Sequence, residues 1–256
     1  MNDTLKRQLN FLGLHVLSCT WDTVLKEAIK TKPSYHAFLE SVFEKEYSAK
    51  TEKARLARIK RARIPEAFVI ETFPFNRQPK LDKRIVRETY DSMSFMTDKQ
   101  DLVFIGPTGC GKTGLAASFL IQAINKGYRG LFMDCEDLIN KLYQSRGDHT
   151  EERLMKKLGS IDVLLIDELG YMSYDREKAS LFFNLMRRRM RKTTTIITTQ
   201  LGFDEWNNFL HDHHITAALL DRITTACTVF NMKDCISLRP KNIRNAARKN
   251  DKESMG

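Results

Sequence analysis

No apolar run in this chain approaches the length needed to cross a bilayer, about 20 residues. The N-terminus, MNDTLKRQLNFLGLHVLSC, has an early acidic residue and an interrupted apolar stretch, so it does not read as a secretory signal. A cytoplasmic protein with no membrane partner is expected. Cysteine is sparse: Cys19, Cys110, Cys135, Cys227 and Cys235 are odd in number, scattered and without metal-ligand spacing. They read as reduced, buried residues. The six histidines offer no better ligands, since His211, His213 and His214 cluster at a spacing that suits a polar loop rather than zinc. Acid is also in deficit, 32 Asp and Glu against 42 Lys and Arg, for a net charge of +10. That excess admits nucleic acid, an anionic membrane or acidic proteins as partners and by itself chooses none. There is no internal repeat, and the 42% hydrophobic content is ample for a core. At 256 residues the chain has room for one medium domain and a smaller one.

What is present centres on one octapeptide, GPTGCGKT at 106–113. It follows the apolar run at 102–105 and precedes a helix-like stretch at 112–125, the strand–loop–helix context of a phosphate-binding P-loop. Gly106, Gly109 and Gly111 are expected to turn with positive φ and expose successive N–H groups, with Pro107, Thr108, Cys110 and Gly114 completing the cradle. The helix that follows points its positive end at the same place. Lys112 would reach the β- and γ-phosphates of ATP, and the Thr113 hydroxyl would ligate Mg²⁺. Cys110 occupies a variable position, where small size or a redox role would suit it.

The first third reads as helix. Trp21, Val24, Leu25, Ala28 and Ile29 form one apolar stripe that Pro33 ends, and Phe38, Leu39, Val42, Phe43 and Tyr47 form a second. The continuation at 50–63, KTEKARLARIKRAR, has seven basic residues and one acidic, and Pro65 stops it. It reads either as a solvated helix face or as a surface that neutralises DNA phosphates. Residues 66–100, with Pro74 and Pro79, look like a connector. From 101 onward, β-type runs at 102–105, 131–135, 162–166, 194–199 and 226–231 alternate with helical patterns, which predicts a mostly parallel α/β sheet with helices on both sides. A basic, polar tail at 241–256 is expected to be flexible.

The run LLIDELG sets Asp167 and Glu168 at the C-terminal end of a strand, where ligands sit in open α/β sheets. Asp167 would hold Mg²⁺ through its water shell and Glu168 would orient and deprotonate a water. The alternative is a helix N-cap with a first-turn acid. One strand-like run separates Lys112 from Asp167, so the run TTIITTQ is expected between their two strands. Gln200 at its end would hold the lytic water, or is merely a turn residue.

GPTGCGKT, LLIDELGYMSYDREKA, TTIITTQLGFDEW and AALLDRI, in this order and spacing, resemble the IstB-type AAA+ ATPases, helpers encoded beside the transposase in one class of bacterial insertion sequence. The resemblance runs from about residue 38 to 240 and takes in the basic helix and the FPF segment at 73–75. It implies an AAA+ P-loop domain at 101–240 behind a helical N-terminal domain at 1–65, with no C-terminal lid. It also implies ATP and Mg²⁺ as cofactors, and double-stranded DNA, a transposase and a homo-oligomer as partners. Arg222 matches the family's arginine finger, which enters a neighbouring subunit's site in trans; its plain alternative is an ion pair with Asp221. Arg239 resembles a second sensor arginine. Arg188 and Arg189 match arginines near the subunit interface, or form a solvated helix end. Where the family has Asn, this chain has Gln200, which lengthens the arm by one methylene. Besides the basic helix, residues 146–149 and the tail are candidate DNA surfaces. A DnaC-like helicase loader shares the core and would prefer single-stranded DNA; a P-loop small-molecule kinase would need an acceptor lid and no water-activating pair.

Overall fold

In a computed structural model of the chain, residues 1–172, 174–206, 213–225 and 227–239 are described, the side chains of His213, Ile215 and Arg222 excepted. His211 and the tail at 241–256 lie outside the described residues. Two units emerge, Met1–Lys60 and Arg61–Gly256.

The first unit holds helices α1 (Asp3–Phe11), α2 (His15–Thr31) and most of α3 (Tyr35–Ala62). The Asn2 side chain caps α1 by accepting from Leu5 N at 2.8 Å. Helix α2 has no side-chain cap of its own, and its orphan Leu17 N–H donates instead to the buried Glu46 carboxylate of α3 at 2.7 Å. A left-handed Lys32, one residue before Pro33, ends α2. The two apolar stripes are only partly used. Val24, Ala28, Phe38 and Val42 line one seam, while Ile29, Leu39, Phe43 and Tyr47 stand exposed. Each helix meets its partner along one line, and the rest of a wide stripe is left to solvent.

In the second unit, residues 66–100 are more than the expected connector. Helices α4 (Lys83–Ser92) and α5 (Ser94–Thr97) form there, and Ile70, Leu81, Val86, Phe95 and Met96 are buried. Asp82 caps α4 through Arg84 N and Ile85 N. The prolines hid this, because they punctuate the segment without removing its apolar anchors.

The sheet comprises β1 (Asp101–Ile105), β2 (Gly130–Asp134), β3 (Val163–Leu169), β4 (Thr194–Thr199) and β5 (Cys227–Asn231), all parallel, in the order β2-β3-β4-β1-β5. All five expected strands appear, and β4 does lie between the strands that carry the two motifs. The intervening helices are α6 (Lys112–Asn125), α7 (Cys135–Gly147), α8 (Glu151–Gly159), α9 (Arg176–Arg189) and α10 (His213–Thr225). Strand residues alternate between two cores. Val103, Ile105, Leu164, Ile166 and Ile197 join Leu142, Phe182 and Leu185 of α7 and α9 in one cluster. Phe104 turns to the other face, where it stacks on Phe230 with centroids 4.7 Å apart and meets Phe119 of α6 edge-on.

Candidate active site

The octapeptide joins β1 to α6 at the C-terminal end of the sheet. Gly109 and Gly111 have φ of 82° and 96°, a region that side-chain-bearing residues avoid. Gly106 does not share this, contrary to expectation. It is constrained by close approach instead, since a Cβ there would sit 2.6 Å from the Met232 carbonyl oxygen. Thr108, Gly109, Gly111, Lys112, Thr113 and Gly114 line a cavity of about 860 Å³. Gly106, Pro107 and Cys110 do not. Cys110 is fully buried and burial pushes its thiol pKa up, which suits a small packed residue rather than a reactive one. Cys19 is exposed and Cys227 half-buried, against the expectation of five buried thiols; all five are free.

Lys112 Nζ donates to the Pro107 carbonyl at 2.8 Å. Burial lowers its pKa; Cys110, Asp167 and Glu168 oppose that shift and Arg239 adds to it. Thr113 Oγ1 donates to Asp167 Oδ1 at 3.0 Å, which ties the P-loop helix to β3. Thr198 Oγ1 donates to the same oxygen. Burial raises the Asp167 pKa, and the two hydroxyl donors pull it back. Glu168 follows at φ 58° and opens into the cavity. The pair belongs to β3, and the next helix, α9, takes Asp175 as its cap, so the N-cap alternative for Asp167 and Glu168 is wrong. Gln200 lies just past β4, exposed and lining the same cavity. Arg239 lines it too, with its stem near Gly109 and Leu238 N donating to Gly109 O at 2.8 Å.

Mg²⁺ fits this donor set. A hydroxyl and a carboxylate within hydrogen-bond distance, at a helix N-terminus built for phosphate, supply the few hard oxygens that ion takes from protein.

Other sequence-derived sites fare differently. Arg222 is carried by α10, and its side chain lies outside the described residues. Arg188 pairs with Glu152 through two contacts, at 3.0 and 2.6 Å. Arg189 has no exposed surface and is neither an interface arginine nor a solvated one. It donates to the carbonyls of Leu158, Ile161 and Thr194 and to Thr195 Oγ1, and burial lowers its pKa to about 10. Arg146, offered as a DNA contact, is engaged by Glu151 and Glu177.

Two residues were missed. Gln78 is fully buried; its Nε2 donates to Cys110 O at 3.1 Å and Ile236 O at 2.7 Å, and its Oε1 accepts from Ile236 N at 2.9 Å. Thr198 is the other. Nothing in either residue's sequence neighbourhood signals such a role.

The family model for "IstB-like ATP binding protein" matches residues 7–246. A Pseudomonas aeruginosa relative, named for insertion sequence IS21 and ATP binding, is 34% identical over 225 residues, 88% of this chain and 84% of the relative. A Geobacillus stearothermophilus relative, named likewise for IS5376, is 31% identical over 250 residues, 97% and 99% of the two chains. Among solved structures, a DNA replication initiation factor superposes with a TM-score of 0.54 at 18% identity, covering 73% of this chain and 54% of that one. DnaI does so with 0.51 at 19%, covering 59% and 82%. These structural likenesses concern the fold alone, a parallel sheet flanked by helices.

Proposed function

The chain belongs to the IstB-like ATP binding protein family, and on that premise we propose that it is an ATPase that assembles on double-stranded DNA and regulates a transposase. One observation carries the enzymatic half: the Thr113–Asp167 hydrogen bond draws the P-loop and the end of β3 together beside a cavity-facing Glu168.

The amides of the P-loop and the positive end of α6 bind the polyphosphate. Lys112 exchanges the Pro107 carbonyl for the β- and γ-phosphate oxygens. Thr113 and Asp167 would hold Mg²⁺, which would neutralise charge on those phosphates. Glu168 accepts a proton from the attacking water, and Gln200 steadies that water. Arg239 reads the nucleotide from beside Gly109 of the P-loop. Arg222 of a neighbouring copy supplies planar donors as charge develops on the γ-phosphate, so hydrolysis depends on assembly.

The DNA half rests on α3. At helical spacing Lys50, Lys53, Lys60 and Arg61 share one side of the helix, and all four are exposed. Backbone phosphate contacts of this kind carry no base information, so binding is largely independent of sequence. Among the described residues no helix is long and apolar enough to cross a membrane.

Phosphate release measured with and without duplex DNA, alongside oligomer size by light scattering, tests the reading. Stimulation coincident with assembly is the expected result. A marked preference for single-stranded DNA would move the assignment to a helicase loader, and phosphorylation of a nucleoside without phosphate release would move it to a kinase.

A further inference from the structure

Adjacent residues of a regular strand point to opposite faces. Here Asp167 bonds the P-loop threonine while Glu168, the next residue, opens into the cavity. The device that permits this is a left-handed Glu168, φ 58°, at a register slip: Ile166 pairs with Ile197, but Leu169 already pairs with Thr199. A non-glycine residue holds that conformation only when its surroundings over-determine it. The slip also removes the carbonyl that a strand amide would normally find. The Glu168 N–H donates instead to Thr198 Oγ1 at 3.0 Å, and the only proton of that hydroxyl goes to Asp167 Oδ1. Thr198 has no exposed surface, so its hydroxyl is committed to the two carboxylate-bearing residues.

We propose that Thr198 is a positioning residue that fixes Glu168 in its hydrolytic orientation by gripping the Glu168 amide and the Asp167 carboxylate with one hydroxyl. The proposal rests on the ATPase reading above, and acts on turnover rather than on nucleotide binding. Valine at 198 keeps the β-branch and the volume while deleting both bonds; serine keeps both bonds and loses only a methyl group.

The test compares wild type, Thr198→Val and Thr198→Ser in the full chain by three readouts: amide hydrogen exchange at Glu168 without nucleotide, the rate constant for ATP hydrolysis, and the dissociation constant for ADP. In Thr198→Val, Glu168 exchange accelerates at least about tenfold and kcat falls by roughly 10- to 150-fold, the size expected for losing a hydrogen bond to a charged group. ADP affinity stays within about threefold, and Thr198→Ser behaves like wild type. Unchanged exchange and kcat in Thr198→Val would overturn the proposal, as would a loss confined to ADP affinity. A Thr198→Ser variant as impaired as Thr198→Val would also overturn it, because the methyl packing would then be responsible. Should Thr198→Val not fold, Thr198→Ala against Thr198→Ser gives the same comparison. If wild type hydrolyses no ATP even with duplex DNA present, the ATPase reading fails, and the exchange measurement still decides whether Thr198 holds Glu168.

Discussion

Replacing Gln78 with methionine removes three hydrogen bonds, one buried and two part-buried, at nearly constant volume. The carbonyls of Cys110 and Ile236 and the N–H of Ile236 lose their partner in a site with no solvent access at the side chain. An unmet buried polar group costs about 1–3 kcal/mol, with carbonyls toward the lower end because the second lone pair is often idle anyway. Three groups together give about 3–5 kcal/mol, a large part of the roughly 5–15 kcal/mol that holds a domain folded. For a unit of this size that corresponds to a melting temperature lower by roughly 6–20 °C.

The loss reaches the nucleotide as well, because Gln78 ties the turn of the P-loop to the segment that follows β5. With Cys110 released, the amides of Gly109 and Gly111 sample more conformations, and ADP affinity should fall by about tenfold. Gln78→Glu should be worse than Gln78→Met at neutral pH, since a carboxylate accepts but cannot donate to two carbonyls. Melting curves and fluorescent-nucleotide titrations of the three proteins provide the assay. A methionine variant that melts within 2 °C of wild type and binds ADP equally, on a scale of about 3 kcal/mol expected, would show that the bridge carries no weight.

Glu168→Gln should lower kcat by at least about a hundredfold while ADP affinity holds, as steady-state hydrolysis and nucleotide titration would report. Arg222→Ala and Lys112→Ala should each be inactive alone, yet a mixture should recover part of the activity, because a Lys112→Ala subunit can lend its arginine to an intact P-loop; no recovery at any ratio would count against a finger in trans. Asp101 is buried, accepts from Thr195 N at 2.7 Å, and has its pKa raised by burial from 3.8 to about 6. A carboxyl raised on folding stabilises fully below its unfolded pKa and loses that contribution as pH climbs through its folded one. Stability should therefore drop by about 3 kcal/mol between pH 4 and 6.5, and urea melts of Asp101→Asn should lack that step. Neutralising Lys53 and Lys60 together should make the salt dependence of duplex binding shallower by about two units of slope, with no change in sequence preference.

Local chemistry made the P-loop legible. Its glycines and Lys112–Thr113 are contiguous, and an apolar run before them can only be a strand that ends where ligands bind. The placing of β4 followed from counting strands between Lys112 and Asp167. Long-range partners were hidden for an equally physical reason. Gln78 works through a residue 158 positions away, and no periodicity encodes that. Arg189 sits in a run of arginines that looks solvated, yet its guanidinium is spent on carbonyls of another helix and a neighbouring strand. Glu168 betrays nothing of its left-handed backbone, because the register slip belongs to the pairing of β3 with β4 and to neither strand alone. The wide stripes of α2 and α3 overstated burial, since sequence records which side chains are apolar but not how much surface a partner covers.

The site therefore has two supports that can be perturbed separately. Gln78 and Leu238 hold the P-loop from behind, through Cys110 and Gly109, and act on affinity. Thr198 holds the end of β3 and acts on turnover. Among the described residues, the side-chain hydrogen bond that links them at the cavity is Thr113–Asp167, 3.0 Å long. Variants of Gln78 and Thr198 share no direct partner, so their effects should add within a few tenths of a kcal/mol in a double-mutant cycle. Asp167→Asn should break that additivity with either one, because Asp167 is where the binding half and the hydrolytic half of the cavity meet.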